Sequence, residues 1–150
     1  IRSISPNMAM STDIIVGFPT ETDEEFQDTV DVVQQVEFDS AFIFKYSERP
    51  GTTAERRFPD DIPEAIKTER IVKLNELQIE IMERKNKAHI GNVERILIEK
   101  KGAKRDSDGF VGRNDANKIV LLPNGDYNVG DIISATITAA SPHNMQGVPV

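Results

Sequence analysis

The stretch TDIIVGFPTET, residues 12–22, decides the fold of the first part of the chain. After Asp13, residues 14–16 are all apolar and β-branched, and they do not alternate with polar residues. This is typical of a strand buried on both faces of a parallel sheet. Thr22 and Glu25 have the spacing of a helix capping box. A stripe of apolar residues at helical spacing follows, formed by Phe26, Val30, Val33 and Val36. The pattern predicts a strand that leads through a loop into a helix over 23–36.

A second apolar run, residues 41–46, follows this helix and predicts a second buried strand. A strand, helix and strand in this order form a βαβ unit with parallel strands. One such unit leaves a sheet face and two edges open. We therefore expect residues 1–60 to be the last part of a larger α/β domain, and a small self-sufficient α+β domain is the alternative.

A long helix is predicted over 63–88, because Pro63 lies in its first turn and an apolar stripe runs from Ile66 to Met82. Its many charged side chains, Arg70 among them, are expected to face solvent. Residues 61–89 are interpreted as a connecting helix.

Residues 90–150 predict an all-β region. Four or five short strands lie in about 60 residues and are separated by turns rich in Gly and Asn, such as 123–126. This pattern favours a small closed or nearly closed barrel. The predicted fold class is thus α/β plus all-β.

The composition excludes several kinds of site. The 150 residues include no Cys, so the chain has no disulfide, no thiol nucleophile and no thiolate-held zinc or iron–sulfur cluster. The two His residues lie far apart, and no metal site is predicted. Apolar runs of about six residues are far shorter than the ~20 that cross a bilayer. A soluble, cytoplasmic protein without membrane contact is expected.

Charge is distributed unevenly: the net charge argues against a polyanion partner, but a locally basic stretch is what would meet a phosphate. The net charge is −7, and residues 1–60 alone, with 5 basic and 12 acidic residues, account for it. Residues 95–118 hold 7 basic and 4 acidic residues. The candidate RNA-binding residues lie in or near two predicted turns: Lys100, Lys101, Lys104, Arg105, Arg113, Asn117 and Lys118. Cations here would meet phosphates. With Phe110 as the only aromatic residue of the stretch, a folded RNA read by shape fits better than base stacking. The alternative is a solvated hairpin.

Two loops follow the predicted parallel strands, where α/β proteins place ligands. Gly17 allows close approach of a ligand to the backbone, and the second loop offers the hydroxyls of Tyr46 and Ser47 and the guanidinium of Arg49. Neither loop contains a nucleophile beside a base, so no catalytic residue is predicted. Ordinary βα connections are the alternative.

Three motifs in order carry a family resemblance: TDIIVGFPTET (12–22), FKYSERPGT (44–52) and GRNDANKIV (112–120). Together they resemble the radical S-adenosylmethionine (radical SAM) methylthiotransferases, most of all the MiaB-type tRNA branch. The resemblance implies that residues 1–60 end a radical SAM partial (β/α) barrel, that 61–89 connect, and that 90–150 form a TRAM domain, an OB-like RNA-binding β-barrel.

The resemblance also implies site residues and cofactors. The residues that it places near S-adenosylmethionine are Asp13, Ile15, Gly17, Tyr46, Ser47 and Arg49. The basic positions from Lys104 to Lys118 would meet a tRNA anticodon stem-loop. Members of the family hold two [4Fe-4S] clusters through Cys residues, and this chain has none. We therefore expect a C-terminal fragment that cannot catalyse alone and works with missing N-terminal domains of the same protein.

The implied activity is the addition of a methylthio group to C2 of an isopentenyl-modified adenosine beside the anticodon. Within the family, a threonylcarbamoyl-modified adenosine in tRNA is the nearest alternative, and an aspartate of a ribosomal protein is a more distant one. Outside it, a non-catalytic RNA-binding module or a structural adaptor remains open.

Overall fold

The computed structural model describes residues 1–5, 7–103 and 106–150. The chain forms two compact units, one made of Met10–Ile81 and the other of Ile1–Ala9 with Met82–Val150. The elements, in chain order, are β1 (Ser11–Val16), α1 (Asp23–Val36), β2 (Ser40–Lys45), α2 (Thr53–Arg57), α3 (Glu64–Lys87), β3 (Val93–Ala103), β4 (Asp106–Asn114), β5 (Ile119–Leu122), β6 (Ile132–Ala140) and β7 (Met145–Pro149).

The predicted βαβ unit is confirmed. Strands β1 and β2 pair in parallel, from Ser11 with Ser40 to Val16 with Lys45. Helix α1 has the predicted bounds and the predicted capping box. The Thr22 hydroxyl accepts from the Glu25 amide at 3.2 Å, and the Glu25 carboxylate accepts from the Thr22 amide at 2.8 Å. The short helix α2, which begins after Thr52, was not predicted.

The core of the Met10–Ile81 unit lies between one face of this sheet and its helices. It is formed by Val16, Phe26, Val30, Val33, Leu74 and Ile81. The prediction that both strands are buried on two faces is wrong for this chain. Ile15 is 56% exposed, and Phe42 and Phe44 are 60% and 53% exposed. The described helices of the unit cover one sheet face only, which leaves the alternate residues of each strand in contact with solvent.

The second unit contains the predicted closed barrel, with strand order β3-β4-β5-β7-β6. Strands β5 and β7 pair in parallel, and the other neighbours are antiparallel. The interior is filled by Ile96, Ile98, Phe110, Val120, Leu122, Ala135, Ile137 and Met145. Gly112 is required where β3 and β4 approach, because a Cβ there would lie 2.4 Å from the Leu97 carbonyl oxygen.

Within the described residues, no helix is both long and apolar enough to cross a membrane.

Candidate nucleic-acid interface and strand-end loops

The turn between β4 and β5 is built by the side chain of Asn114, which is 8% exposed. Its Oδ1 accepts hydrogen bonds from the amides of Ala116 at 3.1 Å and Lys118 at 2.9 Å. Its Nδ2 donates to Oε2 of Glu94 at 2.5 Å. Asn117 adopts a left-handed conformation with φ of 58°, which Asn tolerates better than most residues. The GRNDANKIV motif therefore encodes a rigid hairpin turn.

Arg113 lies directly before this turn and is held on two sides. Its Nε donates to Oε2 of Glu99 at 3.1 Å. Its Nη1 donates to the backbone oxygen of Asn117 at 2.9 Å and to Oδ1 of the same residue at 3.2 Å. Glu99 lies at a bulge of β3, where the pairing with β4 shifts by one residue. The structure thus brings together Arg113 and Asn117, two of the predicted RNA-binding residues.

Lys118 is half-buried like Arg113, but its side chain has different partners. Its Nζ donates to Oδ1 of Asn86 at 2.8 Å. Asn86 is 4% exposed, and its Nδ2 donates to the carbonyl oxygens of Ser141 and Pro142, both at 2.9 Å. Lys118 therefore supports the polar contacts behind the turn.

Of the remaining predicted cations, Lys100 and Lys101 lie on β3. Lys100 and Lys101 are exposed, and Lys101 Nζ lies 5.8 Å from the centre of the Phe110 ring. Lys104 and Arg105 lie outside the described residues. Among the predicted RNA-binding cations that the structure describes, Lys100 and Lys101 are exposed, and Arg113 and Lys118 are half-buried.

In the other unit, the loop of residues 17–22 is fixed by a buried ion-pair network. Oε2 of Glu21 accepts from the Gly17 amide and from Nη1 of Arg70, both at 2.6 Å. Nη2 of Arg70 donates to Asp23 at 2.7 Å. Burial alone would lower the pKa of Arg70, but the hydrogen bonds that its guanidinium donates to Asp23 and Glu21, together with the negative charges of these carboxylates, outweigh the effect of burial. The pKa of the guanidinium is therefore raised above its ordinary value.

The prediction that Arg70 faces solvent is wrong, because the residue is only 5% exposed. Lys67, one turn earlier on α3, is 3% exposed and donates to both carboxylate oxygens of Asp60 at 2.6 Å. A Cβ on Gly17 would lie 2.4 Å from the Lys67 side chain. Sequence reasoning missed both cations because helix α3 is dense in charge and no local signal separates a buried cation from a solvated one.

Of the six predicted cofactor residues, four are exposed, one is buried and one is half-buried. Asp13, Ile15, Ser47 and Arg49 are exposed at or after the strands. Gly17 is buried, and its amide already donates to Glu21. Tyr46 packs edge to face on Phe18, with ring centres 5.1 Å apart. The Tyr46 hydroxyl is buried and has no hydrogen-bond partner among the described residues. No group of three or more His, Cys, Asp or Glu side chains suited to a metal occurs in residues 1–5, 7–103 and 106–150.

Comparison with known families identifies the barrel. Residues 87–150 match the TRAM domain family, and this segment contains all five barrel strands. The C-terminal part of the chain is therefore similar to TRAM domains in both sequence and strand content.

The whole chain is similar to a set of tRNA-modifying enzymes. It is 44% identical over 149 residues to the tRNA-2-methylthio-N(6)-dimethylallyladenosine synthase of Azobacteroides pseudotrichonymphae, which covers 99% of this chain and 33% of that protein. The synthase of the same name from Pelotomaculum thermopropionicum is 41% identical over 149 residues, with the same two coverages. That of Phocaeicola vulgatus is 37% identical over 150 residues, which is 100% of this chain and 33% of that protein. The chain is thus a relative of these synthases and spans about a third of their length.

Proposed function

We propose that the chain is the tRNA-binding part, with a section of barrel wall, of a tRNA methylthiotransferase that adds a methylthio group to C2 of a dimethylallyl-modified adenosine. The observation that carries this proposal is the identity of 37–44% along almost the whole chain to synthases named for that product. The TRAM domain supports it, since small OB-like barrels bind oligonucleotides. The protein is proposed to act in the cytoplasm.

The proposed organisation follows from the same relationship. Residues 1–60 supply the end of a radical SAM partial barrel, 61–89 connect, and 90–150 bind RNA. The parallel pairing of β1 with β2 supports the first assignment, because such barrels are made of parallel strands. The exposed apolar face of this sheet also agrees with a strand pair that belongs to a larger sheet.

RNA binding is assigned to the cationic surface of the barrel, formed by Lys100, Lys101 and Arg113 with Asn117. Two exposed lysines on β3, together with a half-buried arginine directly before a rigid turn, suit the phosphates of a folded RNA such as an anticodon stem-loop. Lys104 and Arg105 belong to the same proposal. Lys118 keeps its place in the predicted set, and an RNA phosphate there has to compete with Asn86.

The predicted cofactor residues of the Met10–Ile81 unit have side chains that suit the parts of S-adenosylmethionine. Arg49 suits the carboxylate of the methionyl group, Asp13 suits ribose hydroxyls, and Ile15 suits the adenine face. The unpartnered hydroxyl of Tyr46 leaves one buried polar atom for a ligand. When bound, S-adenosylmethionine supplies the radical and the methyl group of the proposed reaction. The chain does not fit a [4Fe-4S] cluster, because it contains no Cys to hold one.

The binding proposal is tested with the whole 150-residue chain and an anticodon stem-loop RNA in a salt series. The variant Lys100→Gln/Lys101→Gln removes two adjacent exposed cations. The matched control, Arg56→Gln/Arg57→Gln, removes two adjacent exposed cations of α2. We expect the first variant to bind more weakly and to lower the salt slope by about 0.7 for each lost contact, and the control to bind as the parent does. An equal loss in both variants would assign the effect to net charge and overturn the proposed surface.

The product is tested by deleting the gene and analysing tRNA nucleosides by mass spectrometry. Loss of the 2-methylthio dimethylallyl adenosine supports the proposal. Loss of the threonylcarbamoyl counterpart supports the alternative substrate, and unchanged nucleosides would leave a non-catalytic RNA-binding module.

A further inference from the structure

A row of outward-facing residues crosses three strands of the barrel. Arg113 of β4 pairs with Leu97 of β3, and Leu97 pairs with Ile132 of β6. Leu97 and Ile132 are 43% and 57% exposed, whereas the neighbours of Leu97 on β3 point into the core. The barrel therefore presents two adjacent aliphatic side chains beside a cation.

A groove of about 370 Å³ lies over this row. It is lined by Arg95, Leu97, Glu99, Arg113, Asn117 and Ile132, with Asn114 and Asp115 at the turn. Ligand pockets start at roughly 300 Å³, so the groove has room for one small group rather than for a double helix. Its lining combines two aliphatic side chains, two cations and two amides with the carboxylates of Glu99 and Asp115, and Glu99 is already paired with Arg113. The aliphatic side chains form an apolar floor that suits the flat base of a nucleotide, and the cations suit its phosphate.

Arg113 is prepared for an anion. Its Nε and Nη1 donate three hydrogen bonds to Glu99 and Asn117, which fixes the guanidinium plane. Nη2 has no partner among the described residues. A guanidinium that is already held loses less side-chain entropy when its free N–H groups bind a phosphate oxygen.

We propose that this groove binds one unstacked nucleotide of a single-stranded stretch of RNA, with the base on Leu97 and Ile132 and the phosphate on Arg113. The proposal rests on the RNA-binding function proposed above and adds a site to it. Bases in loops are free to leave the stack, whereas bases in a duplex are not. Glu99 and Asn117 are positioning residues, because they hold Arg113 and need not touch the RNA.

The experiment uses the whole chain and a stem-loop RNA with a single 2-aminopurine in its loop, a base whose fluorescence rises on unstacking. The variant Leu97→Thr/Ile132→Thr removes the apolar floor with residues that suit exposed strands. Val93→Thr/Val148→Thr is the control, since both valines are exposed barrel residues outside the groove. We expect about fivefold weaker binding and loss of the fluorescence rise in the first variant only, with the salt slope unchanged in both.

The positioning role is tested by comparing Glu99→Ala with Glu99→Gln, which carry the same charge. Gln can still accept from Arg113, so we expect about threefold tighter binding by the Gln variant than by the Ala variant. Equal binding by the two overturns the positioning role. Arg113→Lys keeps the charge but not the planar fork, and it is expected to weaken binding at an unchanged salt slope.

Two failures are distinguishable. If the folded parent chain binds the RNA and the floor variant binds it with the same affinity and fluorescence, the nucleotide site is wrong and RNA binding stands. If the parent chain, shown by circular dichroism to be folded, binds no RNA at low salt, both proposals fall.

Discussion

Nη1 of Arg70 lies 2.6 Å from Oε2 of Glu21, and the two side chains are only 6% and 12% exposed. The same carboxylate oxygen accepts from the Gly17 amide. The conformation of the loop that follows β1 is therefore fixed by a cation of helix α3, which lies 49 positions further along the chain. A loop that is held in this way keeps its backbone in one conformation without a bound ligand.

Replacement of Arg70 by Met is expected to free this loop. Glu21 would lose its buried partner, and the removal of one member of a buried pair costs about 3 kcal/mol in the free energy of unfolding. Hydrogen exchange should become faster in residues 17–23, and chemical denaturation should give the free energy. The control is Lys73→Met, which removes an exposed cation of the same helix.

The effect of Arg70→Met is expected to persist between about pH 6 and about pH 9. The raised pKa of Arg70 means that its contribution is complete at lower pH and is lost only as the pH rises through that raised value. A difference between parent and variant that vanishes near neutral pH would contradict the ion-pair explanation.

Gly17→Ala is expected to destabilise the chain far more than Gly51→Ala. Both glycines have positive φ, 69° and 82°, so each substitution carries a backbone strain of about 1 kcal/mol. Only at Gly17 would the new Cβ meet a neighbour, the buried Lys67 side chain, while nothing lies within 4 Å at Gly51. Overpacking adds about 1–3 kcal/mol at Gly17. If the two variants unfold at the same temperature, then the loop moves away from α3 without a loss of stability.

Local signals explain which parts of the fold were predictable. The capping box at Thr22 and the apolar spacing after it fixed both ends of α1, because these interactions lie within one turn of helix. The burial of Arg70 depends on partners 47 and 49 positions away, which no local pattern reveals. The prediction of a sheet buried on both faces followed from apolar strands, but only the arrangement of helices decides which face is covered.

The candidate sites were predictable to a similar extent. The predicted turn does bring Arg113 and Asn117 together, because they are four residues apart in one hairpin. The support of Lys118 by Asn86 joins residues 32 positions apart and was not predicted. The pairing of Leu97 with Ile132 required the strand register, which a sequence of short strands does not fix.

The turn between β4 and β5 is expected to depend on Asn114 more than on Asn117. Asn114→Ala removes three hydrogen bonds of a buried side chain and should cost about 2–3 kcal/mol in the free energy of unfolding. Asn117→Gly keeps the left-handed backbone and removes only an exposed contact, so it should change stability by less than about 0.5 kcal/mol. Thermal melts of both variants test this order, and a reversed order would contradict the role assigned to Asn114.

The exposed face of the β1–β2 sheet is expected to bind apolar dyes. Phe42→Ser/Phe44→Ser should reduce the fluorescence of an added naphthalene sulfonate dye and change the unfolding midpoint less than a core substitution does, because each residue is already more than half exposed. Ile43→Ser is the control on the opposite face, where Ile43 packs against the core, and should lower stability by about 1–2 kcal/mol. Strong dye binding by the double variant would mean that the dye reports another surface.

Replacement of lysine by methionine is expected to lower stability at Lys118 and to weaken RNA binding at Lys101. Lys118→Met keeps the aliphatic stem but leaves Oδ1 of the buried Asn86 without this donor, which should cost about 1–3 kcal/mol in stability. Lys101→Met alters an exposed side chain and should leave the melting temperature unchanged, while it weakens RNA binding and lowers the salt slope by about 0.7. Melting curves and RNA titrations of both variants give the comparison. If Lys118→Met melts as the parent does and loses as much RNA affinity as Lys101→Met, then its ammonium group belongs to the RNA-binding surface and the bond to Asn86 is one that RNA displaces.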